Sequence, residues 1–289
     1  MRILVSGAYG QLGSELKALR SEYPEWDFMF TDVDSLDITD ENAVDQFIAG
    51  KSIDFLINCA AYTAVDKAET DVELATKVNT LAPGILAKVT KKYGIKLIHI
   101  STDYVFAGDA CEPYSEEDEV NPQGVYGQTK LEGEGNVQSQ NSESIIVRTA
   151  WLYSVYGNNF VKTMLRVGRE KGELGVVFDQ VGSPTNAADL AAAVLGIIRL
   201  CEKDASAFVP GIYHFSNEGV ASWYDFAVAI FEMAGVECKV NPLSSEQFPT
   251  PTKRPHYSVL NKSKIKNTFN IRIAYWRDSL QLCLQKMAE

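Results

Sequence analysis

Histidine is scarce in this chain of 289 residues: His99, His214 and His256 are the only three, far apart and without the spacing of a zinc-binding set. They read as structural or surface side chains, and no metal site is expected. Cysteine is scattered as well. Cys59, Cys111, Cys201, Cys238 and Cys283 are odd in number and contain no C-x-x-C pair, which excludes a disulfide framework and fits reduced thiols in a cytoplasmic protein. No apolar run approaches the roughly 18 residues that cross a bilayer, and the chain opens on a strand-like segment rather than a targeting sequence. Positive charge is in deficit: 27 Lys and Arg against 38 Asp and Glu leave a formal net charge of −11. That balance argues against nucleic acid or an anionic membrane surface as a partner. A small anionic ligand stays possible, because a few placed cations and backbone N–H groups suffice to hold a phosphate.

What remains is an ordinary globular composition, 46% hydrophobic and 22% charged, long enough for one large domain or two unequal ones. Through the first half, short apolar runs alternate with helical patterns. Strands are expected at 2–6, 27–31, 54–58, 96–101 and 144–149, and helices at 10–20, 40–49 (behind a Thr39 cap), 72–93 and 125–138. Near-continuous apolar strands spaced by helices signal an α/β protein with a Rossmann-like, doubly wound parallel sheet covered on both faces. The alternation breaks after Trp151. Helices are then expected at 157–169, 186–200, 223–234 and 276–286, with short strands at 175–179, 211–215 and 237–241 and an irregular loop marked by Pro242, Pro249, Pro251 and Pro255. The expected division is a sheet domain at 1–150, to which 175–203 returns, and a smaller mixed α/β lobe at 151–174 and 204–289 that closes over the sheet's carboxyl edge.

Between the first strand and first helix lies Gly7-Ala8-Tyr9-Gly10-Gln11-Leu12-Gly13, a G-x-x-G-x-x-G spacing. The first glycine permits a tight turn, the second lets backbone approach a pyrophosphate, and the third lets the helix pack closely on the strand. The helix N-terminus would offer unpaired N–H groups to the phosphates. This makes 1–150 a dinucleotide-binding domain. Asp32, at the end of the second strand, either accepts hydrogen bonds from an adenosine ribose or caps a turn. The first role leans toward NADH, since no Lys or Arg occupies Ala8 or Tyr9 to receive a 2′-phosphate.

Tyr126 and Lys130 stand one helical turn apart on a single face, and no other tyrosine in the chain has a lysine four residues later. Ser101, Thr102, Asp103 and Tyr104 leave the carboxyl end of the fourth strand, where ligands of open α/β sheets bind. Asn58-Cys59-Ala60-Ala61 ends the third strand with small residues, leaving room for a flat cofactor. An exposed amphipathic helix face is the plain alternative for the Tyr126–Lys130 pair.

Together, the glycine loop, the N-C-A-A turn, the S-T-D-Y-V-F run and the Y-x-x-x-K pair resemble the extended short-chain dehydrogenase/reductase family. The runs at 61–69, 148–151, 157–164 and 179–185, and the Arg254-Pro255 pair, are similar to the branch that reduces the 4-keto group of dTDP-linked deoxysugars. The resemblance covers nearly the whole chain. It implies NADPH or NADH as cofactor and dTDP-4-dehydrorhamnose as the first substrate to consider, with catalysis by Thr102, Tyr126 and Lys130. Tyr126 would be the general acid, its phenol lowered by the Lys130 ammonium, while Lys130 would also hold the nicotinamide ribose and Thr102 would bind the reacting oxygen. The implied cofactor set is Gly7, Tyr9, Gly10, Gln11, Leu12, Gly13, Asp32, Asp37, Ile38, Cys59, Ala60, Ala61, Tyr62, Asn79 and Ser101, with Tyr126 and Lys130. The implied substrate set is Thr102, Asp103, Tyr104, Trp151, Asn159, Lys162 and Arg254, although Trp151 reads equally as core and Lys162 as a solvated surface lysine.

Some reductases of this type form dimers bridged by Mg²⁺ through glutamates. Glu15 matches one such position, but 186–189 reads Asn-Ala-Ala-Asp, without the second glutamate. No metal is therefore expected, and both monomer and homodimer stay open. Two other readings remain: a different nucleotide-sugar 4-ketoreductase or epimerase, and a non-catalytic regulatory subunit on the same fold.

Overall fold

The computed structural model describes residues 1–288. In chain order the first elements are β1 (Arg2–Ser6), α1 (Gln11–Leu19), β2 (Asp27–Thr31), α2 (Glu41–Ile48) and β3 (Phe55–Asn58). A short α3 (Val65–Ala68) and α4 (Val72–Thr76) lead through a π-helical turn at Lys77–Leu81 into α5 (Ala82–Tyr93), followed by β4 (Lys96–Thr102), α6 (Val125–Gln140) and β5 (Ile145–Thr149). The second half contains β6 (Leu152–Tyr153), α7 (Phe160–Lys171), β7 (Glu173–Val177), β8 (Val181–Gly182), β9 (Thr185–Asn186), α8 (Ala187–Lys203), β10 (Gly211–Phe215), β11 (Ala221–Ser222), α9 (Trp223–Ala234), β12 (Lys239–Leu243), α10 (Ser263–Phe269) and α11 (Trp276–Ala288).

The central sheet has six strands in the order β10-β5-β4-β3-β1-β2, all parallel. β1, β3 and β5 are buried along nearly their whole length, as a parallel sheet sandwiched between helices requires. One face packs Ile3, Val5, Ile57 and Val147 against α1 and α8; the other packs Leu4, Leu56, Leu97 and Ile146 against α2 and α5. Strand order reverses between β1 and β3, which opens a crevice at the carboxyl edge.

Local chemistry sets the helix ends. Asp40, not Thr39, caps α2 by accepting from the N–H groups of Asn42 and Ala43, so the expected cap moves by one residue. Gly94, at φ 69°, ends α5 in the left-handed conformation. α1 has no side-chain cap at all, which leaves its first N–H groups facing the crevice.

Two parts of the expected division change. That division places β10 in the C-terminal lobe with the rest of 204–289, yet the strand pairs with β5 and completes the main sheet, and Ile265 and Phe269 of α10 join the same core. Within 175–203, α8 does pack on the sheet domain, but β7 pairs with β12 in the lobe. A five-residue strand such as 211–215 carries no signal of which sheet it will join. The remaining lobe is centred on Phe226, Ile230, Trp276 and Leu280, packed against Tyr153 and Val161.

Candidate active site

The glycine loop is built by close contact. Gly7 has φ 75°, and a Cβ on it would run into the backbone of Cys59 and Ala60; one on Gly13 would strike the Gly7 carbonyl. The loop, the start of α1 and the N-C-A-A turn therefore fit only as glycines and small residues. Asn58 ties them together: its Oδ1 accepts from Ser6 Oγ at 2.8 Å and from the Ala60 N–H at 3.1 Å, and its Nδ2 meets His99 Nδ1 at 3.0 Å. That bracing is not evident in the sequence, where the turn registers only as small residues.

Two adjoining cavities open along this edge and share Gly10, Cys59 and Ala61. The first, about 240 Å³, is lined by Gly7, Asp32, Asp37, Ile38 and Ala60, together with Ser6, Thr31, Val33, Leu36, Thr39 and Val78. Asp32 lines this cavity and also caps the local turn, its Oδ2 accepting from the Tyr9 N–H at 2.8 Å and its Oδ1 from the Val33 N–H at 2.9 Å. The second cavity, about 580 Å³, brings together Gln11, Leu12, Ser101, Thr102, Asp103, Tyr104, Tyr126, Lys130 and Trp151. Sheet topology accounts for the convergence: β4 delivers Ser101 and Thr102 to the edge, and α6 returns antiparallel beneath it with Tyr126 and Lys130 turned inward.

Not every expected residue faces these cavities. Gly13 is packed beneath the loop, and Tyr9 is exposed with its hydroxyl on Asp34. Tyr62 points its hydroxyl to Asp71, while its N–H and C=O are held by Asn79 at 2.8 and 3.1 Å. Asn79 is fully buried and also bonds Thr129, so it holds the loop behind the cavity wall rather than meeting a ligand. Asn159 caps α7 through the Lys162 N–H and directs its amide to Gln11, Ser154 and Tyr156. Lys162 lies in a separate outer groove with Arg166, Arg169 and Lys286. A helix start attracts anions, which is why both are expected near a diphosphate; the structure closes one and turns the other away.

Tyr126 is nearly buried, its ring edge-on to Tyr104 with centroids 5.4 Å apart. Burial raises its phenol well above the ordinary value; the Thr102 hydroxyl beside it pulls the other way, while Asp103 and Tyr104 add to the rise. The expected lowering by Lys130 is not found, because that ammonium donates instead to the Ile100 carbonyl at 2.7 Å. Lys130 itself is 2% exposed, and burial lowers it to about 8 against the opposing charge of Glu134. Glu134, the next turn along, forms a buried ion pair with Arg148 at 2.7 Å and accepts from Ser101 Oγ. Thr102 Oγ1 lies 3.0 Å from Asp103 Oδ1 and accepts from the Tyr104 N–H.

Trp151 has φ 48°, a rare conformation for a bulky residue, and stacks face to face on Trp223 with centroids 3.5 Å apart. It is thus both packed and cavity-lining. Beyond Tyr104 a third cavity, about 450 Å³, is lined by Phe160, Met164, Val176, Trp223 and Phe248, with Gln180, Asp66 and Arg254 among its polar groups. Arg254 donates to the Tyr104 hydroxyl at 3.1 Å and pairs with Asp66 at 2.6 Å. Asp66 and Glu69, which accepts from the Val125 N–H at the start of α6, have no role that the sequence alone reveals, although they stand in one of its most distinctive runs. Three of the cavity's aromatic residues come from scattered positions that no local pattern joins.

None of the three histidines lines these cavities. His99 and His214 are buried and lowered by that burial, and His256 bonds the Asp179 carbonyl. Among the described residues no group of three or more His, Cys, Asp or Glu side chains could hold a metal ion, and Glu15 is buried on Ser154. All five cysteines are free, and no helix among those residues is long and apolar enough to cross a membrane.

The glycine cradle, the uncapped α1 and the small-residue turn fit a dinucleotide across the first two cavities. Comparison with known proteins agrees. The family model for the RmlD substrate binding domain matches residues 1–289. A dTDP-4-dehydrorhamnose reductase of Sinorhizobium fredii is 42% identical, covering 96% of this chain and 95% of its own. The crystal structure of a dTDP-4-dehydrorhamnose reductase from Clostridium acetobutylicum superposes with a TM-score of 0.93 at 46% identity over 100% of both chains. That of a dTDP-4-dehydrorhamnose reductase from Bacillus anthracis, in complex with NADP, does so with a TM-score of 0.93 at 38% identity over 99% of each. By sequence, fold and site, the chain belongs to the RmlD family of dTDP-4-dehydrorhamnose reductases.

Proposed function

We propose that the protein reduces the 4-keto group of dTDP-4-dehydro-β-L-rhamnose to give dTDP-β-L-rhamnose, with NADPH or NADH as reductant, as a cytoplasmic enzyme of dTDP-rhamnose biosynthesis. The observation that carries this reading is the meeting of Thr102, Tyr126 and Lys130 in one cavity contiguous with the glycine loop. The relatives' names and the NADP-bound neighbour support the substrate and the cofactor. The assignment of catalytic, cofactor and substrate residues is part of this proposal.

Gly7, Gly10 and the open N-terminus of α1 would hold the pyrophosphate, with Asp32, Asp37 and Ile38 at the adenosine end. Bound reduced nicotinamide would supply the hydride for the sugar's carbonyl carbon. Tyr126 then gives its proton to the carbonyl oxygen. A phenol raised by burial is suited to proton donation, because it stays protonated at neutral pH and the nascent alkoxide is a far stronger base than phenolate. Thr102 stabilises charge on the same oxygen, and Lys130 keeps a buried positive charge beside it. We assign the third cavity to the nucleotide of the substrate, its aromatic walls for the base and Arg254 for the diphosphate. We further divide the chain into a dinucleotide-binding unit, comprising 1–150 with α8 and β10, and a substrate lobe built from most of the rest.

The test is direct. Purified protein is mixed with dTDP-4-dehydrorhamnose and either NADPH or NADH, and cofactor oxidation and product stereochemistry are followed. One cofactor oxidised per dTDP-rhamnose formed is expected. Catalytic turnover without net oxidation would point to an epimerase, and no turnover to a binding subunit.

A further inference from the structure

Asp103 is a buried acid with no cation paired to it among the described residues. It is 3% exposed, and its Oδ2 has no hydrogen-bond partner. Tyr104 stands on the same turn, Tyr126 faces it from α6, and Ser258 lies close by with its own hydroxyl unpartnered. Arg254 and Asp66 are occupied beyond Tyr104. An ionised carboxylate in such a place is costly, and a neutral acid is not. Burial accordingly pushes this carboxyl up to about 7, against the weaker pull of the Thr102 and Ser258 hydroxyls and nearby backbone N–H groups.

The consequence falls on Thr102, whose hydroxyl has one proton and two acceptor sites. The Tyr104 N–H takes one acceptor site, at 3.2 Å. If Asp103 were ionised, it would claim the threonine's only proton across the 3.0 Å contact, and nothing would be left for a substrate oxygen. If Asp103 is neutral, its own O–H fills the second acceptor site, and the threonine proton is released toward the side where the Tyr126 phenol stands and a substrate oxygen would bind.

We infer that Asp103 is a positioning residue that works as a neutral acid, donating to Thr102 Oγ1 and thereby aiming the Thr102 proton at the substrate carbonyl oxygen. Asp103 gives up no proton in the reaction; it fixes the direction of a hydrogen bond. This inference rests on the reductase reading above.

Two variants and a spectrum test it. Asp103→Asn keeps a donor toward Thr102 but cannot ionise, so at neutral pH its kcat should stay well above that of Asp103→Ala. It should also lose the first decline in rate that wild type shows as pH rises past neutrality. Asp103→Ala has no donor and should lose about 10- to 100-fold in kcat. Carbon-13 NMR of the free protein, with the Asp103 carboxyl assigned by its absence in Asp103→Asn, should show the acid form persisting to near-neutral pH. A folded, cofactor-binding Asp103→Asn that is as impaired as Asp103→Ala would overturn the inference, as would a carboxyl already ionised in mild acid. Wild type that fails to reduce the ketosugar would sink the reductase reading alone, and the NMR titration would still decide the state of Asp103.

Discussion

Gly133 on α6 packs directly against the carbonyl of Asn79 in the π-helical turn, so closely that a Cβ at 133 would overlap that oxygen. The contact has a functional side. Asn79 holds Tyr62, and with it the loop that follows the N-C-A-A turn of the cavity assigned to the cofactor. Gly133→Ala should force the two helices apart and destabilise the fold by about 1–3 kcal/mol, the usual cost of overpacking a tight site. It should also weaken binding of NADPH more than binding of the nucleotide sugar. Urea denaturation and separate ligand titrations measure the two effects, and an unchanged midpoint would show that the contact relaxes freely.

The acid role proposed for Tyr126 makes a sharper prediction. Tyr126→Phe removes one hydroxyl from a nearly buried ring whose packing on Tyr104 stays available. kcat should fall by about 10²–10⁴-fold, the range of a lost general acid. The dissociation constant for NADPH should be similar to that of wild type. Turnover near normal would remove Tyr126 from the mechanism.

Lys130 links activity to pH. Its folded value is lowered to about 8 by burial, while a lysine in an unfolded chain titrates near about 10.4. The ammonium assigned to catalysis is therefore lost as pH rises through about 8, and kcat/KM should fall there. In the Asp103→Asn variant this decline stands alone. Stability moves the other way. Between the two values the unfolded chain binds the extra proton, so this group makes unfolding harder as pH increases across that window. Lys130→Met should abolish that rise, which denaturation at about pH 7.5 and about pH 10 in both proteins will reveal.

The features legible in the sequence are those that depend on local pattern. The glycine loop is defined by neighbouring residues, Tyr126 and Lys130 share a face through simple helical periodicity, and the parallel sheet announces itself by near-continuous apolar runs such as that at 144–149. What escapes depends on long-range packing. The destination of 211–215 is fixed by pairing with β5, not by its own residues. Asn79 and Asn159 look like ligand contacts because an amide suits a phosphate or ribose, but the same amide suits a buried backbone, and only the fold decides. The state of Tyr126 escapes for a related reason: the spacing shows that Lys130 is near, not that its ammonium turns toward Ile100.

Arg254 offers the clearest separation of the two binding functions proposed. Its guanidinium reaches Asp66 and the Tyr104 hydroxyl at the passage between the catalytic and apolar cavities, across 188 and 150 residues of sequence respectively. No element of the glycine loop touches it. Arg254→Ala should therefore raise KM for the nucleotide sugar by about 10- to 100-fold, the loss of one charge-assisted contact of about 1.5–3 kcal/mol, while the KM for NADPH changes little. Arg254→Lys retains the charge but not the planar fork and should recover only part of the loss. Steady-state kinetics with each substrate varied in turn is the measurement. An equal rise in both KM values would mean that Arg254 braces the whole cleft through Asp66, and the third cavity would then lose its place as the nucleotide site.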